Sequence, residues 1–430
     1  MKMPKRLWLC LAVAAMLPTA ARPQAVQQLT LKQAEAIALQ NHPQIQAAVS
    51  LAYEAKAQVA QQRSAYYPIA YGNATGATAE NDSRVTAEAL NNPLIYERFG
   101  YGVTMTQLLT DFGRTHELVK SSGEHAKAAQ ESVVTSRADV LRAVDHAYFG
   151  VLKAQAVLSV AEETVKERQL ISDQVTELMK NKLRSGLDVS FANVDLYQAQ
   201  LLLVQAQNNV DDSFAELTRA LGYADQKTYQ LAEEPLPPPP PSDFPSLLQE
   251  AMRDRPELIS QRFESDSAHS YATAERDLWF PKLTAAGTAG LTPYGADQLA
   301  PRYAAAGFNL NIPIFNGHLF GALRNEANSQ ARAQDQYLRD LQDRITRDVR
   351  TSWLNSNLAY QRLKLTDELL AEANQALDLA TARYKLGLNS IVALTQAQLS
   401  QTQAAIEQIS ARYDYSTQIS ELNFQIGALH

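Results

Sequence analysis

The chain has 430 residues, of which 46% are hydrophobic and 20% are charged, and its formal net charge is −7. This acidic balance argues against nucleic acid as a partner, because binding to phosphates relies on clustered lysine and arginine. The one cysteine, Cys10, lies close to the N-terminus. Disulfides, iron–sulfur clusters and thiol catalysis are therefore excluded for the rest of the chain.

The first 25 residues have the pattern of a secretory signal peptide. Basic residues precede an apolar segment at 7–17, and small residues follow up to Ala25. This segment is too short for a membrane-spanning helix, and cleavage at several positions from 20 to 25 fits the pattern. Removal of 1–25 would take away four positive charges and no acidic ones, so the net charge would become −11. No later stretch is long and apolar enough to predict a membrane-spanning helix.

The remainder of the sequence contains an internal repeat. Two marks recur at an offset of 213: Asn41-His42-Pro43 resembles Asp254-Arg255-Pro256, and Tyr66-Tyr67-Pro68 resembles Trp279-Phe280-Pro281. Later pairs recur at an offset of 205: Tyr148 with Trp353, Ala192 with Ala397, and Gly222 with Gly427. The change of offset predicts a solvent-exposed loop of unequal length between these two groups of marks, because exposed loops tolerate extra residues.

Each repeat predicts the same series of elements: a short helix, a helix of about 24 residues ended by a proline, two strands, a long helix and a return helix. The long helices, Thr115 to Lys182 and Leu319 to Lys385, would each be about 100 Å long. Repeat 1 is predicted at 26–222, with a β-hairpin at about 69–110 and a helical hairpin at about 114–222. A proline-rich connector follows at 223–245. Repeat 2 is predicted at 246–430, with a β-hairpin at about 282–316 and a helical hairpin at about 318–427.

The predicted strands alternate large apolar residues with small or polar ones. The apolar positions are Phe99, Tyr101, Val103, Met105, Phe308, Leu310, Ile312 and Ile314. A soluble sheet packed on a core would show the same alternation, but the long helices already partner one another and leave no core for it. Strands of a membrane barrel also place apolar residues outward, toward lipid. Four strands are too few for such a barrel, so it would have to be shared between chains.

The sequence resembles the TolC-like outer-membrane efflux protein family over nearly its whole length after residue 25. The resemblance rests on the duplicated plan and on four segments: Leu29-Thr30-Leu31-Lys32-Gln33-Ala34 with Asn41-His42-Pro43, Thr106-Gln107-Leu108-Leu109-Thr110-Asp111-Phe112-Gly113-Arg114, Ile312-Pro313-Ile314-Phe315-Asn316-Gly317, and Gly387-Leu388-Asn389-Ser390.

The resemblance implies an α+β membrane protein that is mostly helical and built from two structural repeats. It implies a homotrimer whose shared transmembrane β-barrel has 12 strands, four per chain, continued by a long periplasmic α-helical barrel. Such a protein would be a passive exit duct in the outer membrane, for tripartite efflux or type I secretion. Its partners would be lipid, a periplasmic adaptor protein and an inner-membrane transporter of the RND, ABC or MFS type.

The two turns of the helical hairpins are the predicted functional site. By resemblance they lie at the periplasmic tip, and the expected adaptor contacts are Leu183, Arg184, Ser185, Leu388, Asn389 and Ser390. The alternative is that the leucine of each turn caps its own hairpin. Asp188 falls where the family often carries an acidic ring, and three copies would favour cations. The alternative is that Asp188 is a first-turn helix residue near the positive end of the helix dipole. The second repeat has Ala393 at the matching position.

The sequence does not predict an enzyme, a cofactor or a metal site. The seven histidines form no HxxxH or HExxH pair, and Asp111-Phe112-Gly113 fits a strand-to-helix junction better than a kinase motif, because no glycine-rich loop accompanies it. The alternative function is a periplasmic coiled-coil adaptor of the same kind of system. Such an adaptor would have one helical hairpin between β-domains, whereas this sequence predicts two hairpins that alternate with strands.

Overall fold

The computed structural model describes residues 28–78, 98–225, 229–294 and 300–429. The first half contains strand β1 (Gln28–Leu29), helices α1 (Leu31–Asn41) and α2 (Pro43–Arg63), strands β2 (Ile69–Ala77) and β3 (Arg98–Thr110), and helices α3 (Arg114–Lys180) and α4 (Gly186–Ala220). The second half contains β4 (Gln230–Leu231), α5 (Phe244–Asp254), α6 (Pro256–Arg276), β5 (Lys282–Tyr294), β6 (Arg302–Asn311), α7 (Leu319–Lys385) and α8 (Ile391–Gln425). The signal-peptide prediction and most of the first strand connection lie outside the described residues.

The two halves contain helices of identical lengths in the same order. Both have helices of 11, 21, 67 and 35 residues. Pro43 and Pro256 begin α2 and α6, where a missing N–H costs no helical hydrogen bond. The fold is therefore mostly helical with some strands. None of the helices in the described ranges is both long and apolar enough to cross a membrane.

Each long helix has two shorter companions that lie end to end along it. Helix α3 packs on α2 and α4, and α7 packs on α6 and α8. Gly222, just after α4, lies so close to the start of α2 that a Cβ would be 2.9 Å from the Cα of His42. Its φ of +79° also favours glycine. Gly427 makes the same approach to Arg255, so the end-to-end joint occurs in both halves.

The main hydrophobic core surrounds the middle of α3, where α1 and the end of α4 meet it. Val144, Tyr148 and Leu217 are almost fully buried there. The Tyr148 hydroxyl donates to the carbonyl oxygens of Leu29 (2.9 Å) and Ala232 (2.6 Å), next to the parallel pair β1–β4. Burial raises the pKa of Tyr148 to about 12. This tyrosine thus holds the start of both repeats against one long helix.

The proline-rich connector lies across the second helical hairpin and is held there by aromatic donors. The Tyr415 hydroxyl donates to the carbonyl oxygen of Pro238, and the Trp353 indole donates to that of Pro241 at 2.7 Å. Residues 232–241 form neither helix nor strand. An extended segment of prolines has free carbonyls, which explains why side-chain donors fix it.

The four longer strands form one antiparallel sheet in the order β2–β3–β5–β6. The predicted strand Phe99–Leu109 lies within β3, where Phe99, Tyr101, Val103 and Met105 share one face and are about half exposed. Val103 pairs with Ala289 of β5, and Ala285, on the same face of β5, pairs with Phe308 of β6. Because paired residues share a face, Phe308 and Leu310 lie on the same face of the sheet as the apolar residues of β3.

Ile312 and Ile314 correct the strand prediction. Strand β6 ends at Asn311, so both isoleucines lie beyond the sheet. Pro313 between them has no N–H to donate to a neighbouring strand, which explains why the alternation continues in the sequence while the strand stops. Ile314 is 90% exposed.

On β3, β5 and β6 the other face of the sheet carries mainly small and polar residues. Asn73 Nδ2 donates to Thr104 Oγ1 at 3.1 Å, and Thr104 Oγ1 lies 3.4 Å from Thr288 Oγ1, so one polar chain crosses three strands. Tyr71 pairs with Thr104 and therefore also belongs to this face. The larger side chains of β2 thus lie on the opposite face from those of β3.

Candidate contact and gating site at the hairpin tips

The turns that end the two helical hairpins have the same backbone geometry. After α3, Lys182 has a φ of +57° and Leu183 N donates to Leu178 O at 2.9 Å. After α7, Gly387 has a φ of +73° and Leu388 N donates to Arg383 O at 2.9 Å. Both turns are Schellman-type helix ends with one left-handed residue.

The leucines of both turns project into solvent. Leu183 is 69% exposed and Leu388 is 66% exposed. Each follows the left-handed residue directly, and neither has an intrachain core to enter. Two exposed leucines at equivalent places favour a contact surface for another molecule.

Asp188 is part of a capping box at the start of α4. Its Oδ2 accepts from Ser185 N at 3.0 Å and lies 2.9 Å from Ser185 Oγ, which accepts from Asp188 N. In the second repeat Ser390 Oγ accepts from Ala393 N at 3.3 Å, and alanine cannot complete the box. The Asp188 carboxylate therefore already has a local structural role.

Arg184 connects the first hairpin to the second. Its guanidinium lies 4.5 Å from the centre of the Tyr384 ring, near the end of α7, and Nη2 lies 3.4 Å from Tyr384 O. Burial raises the pKa of Tyr384, whereas the Arg184 charge acts in the opposite direction. Below the turns, a small apolar cluster joins all four helices: Val175, Ala192, Ala380, Tyr384, Ile391 and Leu394.

The fold brings all seven predicted tip residues to one end of the molecule. A groove of about 420 Å³ lies beside them and is lined by residues of α3, α7 and α8, among them Ile171, Leu377 and Leu394. Sequence reasoning did not identify Tyr384, because it lies 200 residues from Arg184. The sequence feature that could have identified Tyr384 is its position one turn before Gly387, next to the predicted tip of the second hairpin.

No group of three or more histidine, cysteine, aspartate or glutamate side chains in the described residues is placed to hold a metal ion. The tip site consists of exposed leucines, helix caps and one cation–π contact.

The sequence model of the outer membrane efflux protein family matches residues 36–223 and 247–428. The chain belongs to this family. Outer membrane efflux proteins are outer-membrane channels with a helical periplasmic extension, and the family is not enzymatic. The family assignment predicted from the duplicated segments is confirmed.

Individual relatives agree with this assignment. The chain is 25% identical to outer membrane protein TolC of Salmonella enteritidis over 341 residues, covering 76% of this chain and 68% of TolC. It is 23% identical to the cation efflux system protein CusC of Escherichia coli O157:H7 over 407 residues, covering 90% and 83%. The crystal structure of the Campylobacter jejuni CmeC outer membrane channel has the same fold, with a TM-score of 0.80, 17% identity, and coverage of 92% of this chain and 85% of CmeC.

Proposed function

We propose that this outer membrane efflux protein is a passive exit duct, formed by three copies of the chain, for a tripartite efflux or type I secretion system. An inner-membrane transporter of the RND, ABC or MFS type would supply the energy, and a periplasmic adaptor would connect the two. Membership of the family supports the role in efflux. The unpaired edge strands of the sheet in a single chain support the assembly of three copies, and this observation carries the proposal.

The four-stranded sheet has two edges with unmet hydrogen-bonding capacity. Within the described residues β2 pairs with β3 alone and β6 pairs with β5 alone. Because neighbouring strands alternate in direction, β2 and β6 run antiparallel to each other, so β6 of one copy can continue the pattern onto β2 of the next. Such a head-to-tail contact forms a ring when the rotation between copies closes. Three copies would give 12 strands, enough for a membrane barrel.

The helices offer a second pair of unpartnered faces. Helix α4 exposes an apolar stripe near its start, made of Leu187, Phe191, Val194, Leu201 and Val204. Helix α7 exposes another, made of Leu354, Leu358, Leu365, Leu369 and Leu379. Both stripes follow three- and four-residue spacing, as in coiled coils. In one chain α4 packs on α3 and α8, and α7 packs on α6 and α8, so the two stripes are free for neighbouring copies.

The apolar face of the sheet would contact lipid once the ring closes. Phe99, Tyr101, Val103 and Met105 on β3 and Phe308 on β6 share that face and are 45% to 77% exposed. A soluble sheet would bury these side chains against a core. The polar chain through Thr104 would then line the interior.

The hairpin tips would receive the adaptor. We propose that Leu183 and Leu388 are its apolar contacts and that Arg184, Ser185, Asn389 and Ser390 surround them. Three copies of Asp188 would form an acidic ring at the narrow end and favour cations. The Arg184–Tyr384 contact would help hold the tip closed, because it ties one hairpin to the other.

The alternative, a periplasmic adaptor, would carry one helical hairpin. Two hairpins that alternate with strands in a duplicated order favour the duct. Substrate choice would depend largely on the transporter.

A disulfide test addresses the assembly. Leu201 lies 15 residues after Gly186, where α4 begins, and Leu369 lies 16 residues before Lys385, where α7 ends. Both side chains are exposed, at 71% and 46%. They lie at nearly the same distance along their helices from the hairpin tips. We expect oxidised Leu201→Cys/Leu369→Cys, in a Cys10→Ser background, to form a gel ladder that stops at three chains.

The matched controls are the two single variants, Leu201→Cys and Leu369→Cys, which should remain monomeric on the same gel. A double variant that forms no interchain bond, or a ladder that continues beyond three chains, would contradict the trimer.

A further inference from the structure

One oxygen of a buried carboxylate in the middle of the molecule lacks a hydrogen-bond donor. Asp145 on α3 is 3% exposed, and its Oδ2 accepts from the Ser420 hydroxyl on α8. Its Oδ1 is also buried, and no donor among the described residues reaches it. A buried charged oxygen without a donor is costly, so such a group requires an explanation.

The group that faces Asp145 is a second carboxyl, Glu35 on α1. An ionised carboxylate accepts hydrogen bonds and donates none, whereas a carboxylic acid has one O–H to donate. A proton on Glu35 would therefore supply the donor that Asp145 Oδ1 lacks. Burial, reinforced by the Asp145 charge, raises the pKa of Glu35 to about 7. Burial raises the pKa of Asp145 as well.

We propose that Glu35 and Asp145 share one proton and that this proton latches helix α1 to the seam between α3 and α8, so that α1 loosens when the pair loses it. We call these two residues the carboxyl pair. All its contacts lie within one chain, so the latch does not rest on the proposed trimer or on export.

The surrounding charges indicate where the proton resides. On α1, Lys32 lowers the pKa of Glu35, whereas Glu234 of the connector raises it. On α3, His146 lowers the pKa of Asp145. His146 also lies 3.4 Å from Glu421 of α8, and Arg142 lies 3.6 Å from the same carboxylate. On α4, Arg219 faces His42 rather than Glu35 or Asp145. Asp145 is thus the better anion and Glu35 the acid.

The sign of the pH effect follows from the raised pKa of Glu35. A carboxyl whose pKa in the folded state exceeds its ordinary value of 4.5 contributes stability that is complete below about pH 4.5. That contribution is lost as the pH rises through about 7. Docking of α1 should therefore weaken between mildly acidic and mildly alkaline pH.

The second repeat supplies an internal comparison. The positions that match Glu35 and Asp145 are Leu248 on α5 and Arg350 on α7, at offsets of 213 and 205. Arg350 lies 5.1 Å from the centre of the Phe244 ring. Helix α5 therefore docks on α7 without a carboxyl pair and should not respond to the same proton.

Hydrogen–deuterium exchange of the full chain in detergent, followed by mass spectrometry from pH 5 to 9, tests the latch. After correction for the intrinsic pH dependence of exchange, we expect protection of α1 to fall about tenfold or more between pH 5 and pH 8. Protection of α5 should stay constant. In Glu35→Gln the amide donates to Asp145 at every pH, so α1 should remain protected throughout.

Glu54→Gln on α2 is the matched control, because Glu54 is exposed and should leave the α1 profile unchanged. If Glu35→Gln folds poorly, Asp145→Asn serves instead, since its amide can donate to Glu35 and should also flatten the profile. Infrared spectroscopy should show a protonated carboxyl band that disappears near pH 7. A parallel response of α1 and α5, or an unaltered profile in both amide variants, would overturn the proposal.

Discussion

At the scale of single residues, the two tip turns differ at the position that has a left-handed backbone. Lys182 occupies this position after α3, with a φ of +57°, and Gly387 occupies it after α7. A residue with a Cβ is strained there, whereas glycine is not. Lys182 is exposed, so its side chain gains little packing in return. The first turn therefore stores backbone strain that the second turn lacks.

Lys182→Gly should relieve that strain. We expect the substitution to stabilise the first hairpin tip by about 1 kcal/mol, because glycine adopts the left-handed conformation without a steric penalty. Local hydrogen exchange of residues 176–190 measures the effect. The reverse control, Gly387→Lys, should destabilise the second tip by a similar amount. Faster exchange at the first tip in Lys182→Gly would contradict this assignment.

At the scale of elements, the two helical hairpins are joined at their ends by one polar contact above a small apolar cluster. The Arg184 guanidinium covers the Tyr384 ring, and the cluster around Val175 and Leu394 lies beneath it. A cation–π contact of this kind contributes about 0.5–2 kcal/mol. One side chain can therefore influence how easily the hairpins part.

Removal of this contact should favour an open tip. In planar bilayers we expect Arg184→Ala to show a higher single-channel conductance than the parent protein, because the hairpins lose their polar connection. Lys180→Ala is the control, since Lys180 is exposed and pairs locally with Glu177 at 2.6 Å. Equal conductance in all three proteins would rule out Arg184 as a closing contact.

The same recordings separate the two roles of Asp188. Asp188→Asn removes the charge while the side-chain oxygen can still accept from Ser185. A fall in cation preference would support the acidic ring. Unchanged selectivity would leave Asp188 with its capping role alone.

The elements were predictable from the sequence because their signals are local. Prolines, alternating strands and long breaker-free stretches predicted the helical hairpins and the strand pairs, and the repeat tied one half to the other. Ile312 and Ile314 were misassigned because alternation cannot show where backbone pairing stops. Two contacts were not predictable from the sequence: Arg184 with Tyr384, and Glu35 with Asp145. Each joins residues more than 100 positions apart, and neither separation matches a repeat offset, so no spacing in the sequence reveals them.

At the scale of the whole molecule, two carboxyls near the middle of α3 give the stability opposite dependences on pH. The hydrogen bond with His146, supported by Gln425 and Arg142, lowers the pKa of Glu421 to about 2. Its contribution is complete above about pH 4.5 and is lost as the pH falls through 2. Glu35 acts in the other direction, and its contribution is lost as the pH rises through about 7. The sum of these two contributions is greatest near pH 4.5.

Thermal unfolding at a fixed heating rate should show both limits. We expect the apparent midpoint to fall on either side of about pH 4.5 and Glu421→Gln to flatten the acidic side. Glu35→Gln should flatten the side toward neutral pH and leave the acidic side unchanged. If Glu421→Gln keeps the full acidic decline, the His146–Glu421 pair does not govern it.

The joints at Gly222 and Gly427 give the molecule a mechanical asymmetry. The long helices α3 and α7 run unbroken from the sheet to the tip, whereas their companions are divided where each glycine meets the start of α2 or α6. Each long helix therefore packs against both of its companions and bridges the gap between them. Among the described helices, only α3 and α7 thus run without interruption between the strands and the hairpin tips. A load applied at the hairpin tips would therefore reach the strands through α3 and α7 rather than through their divided companions.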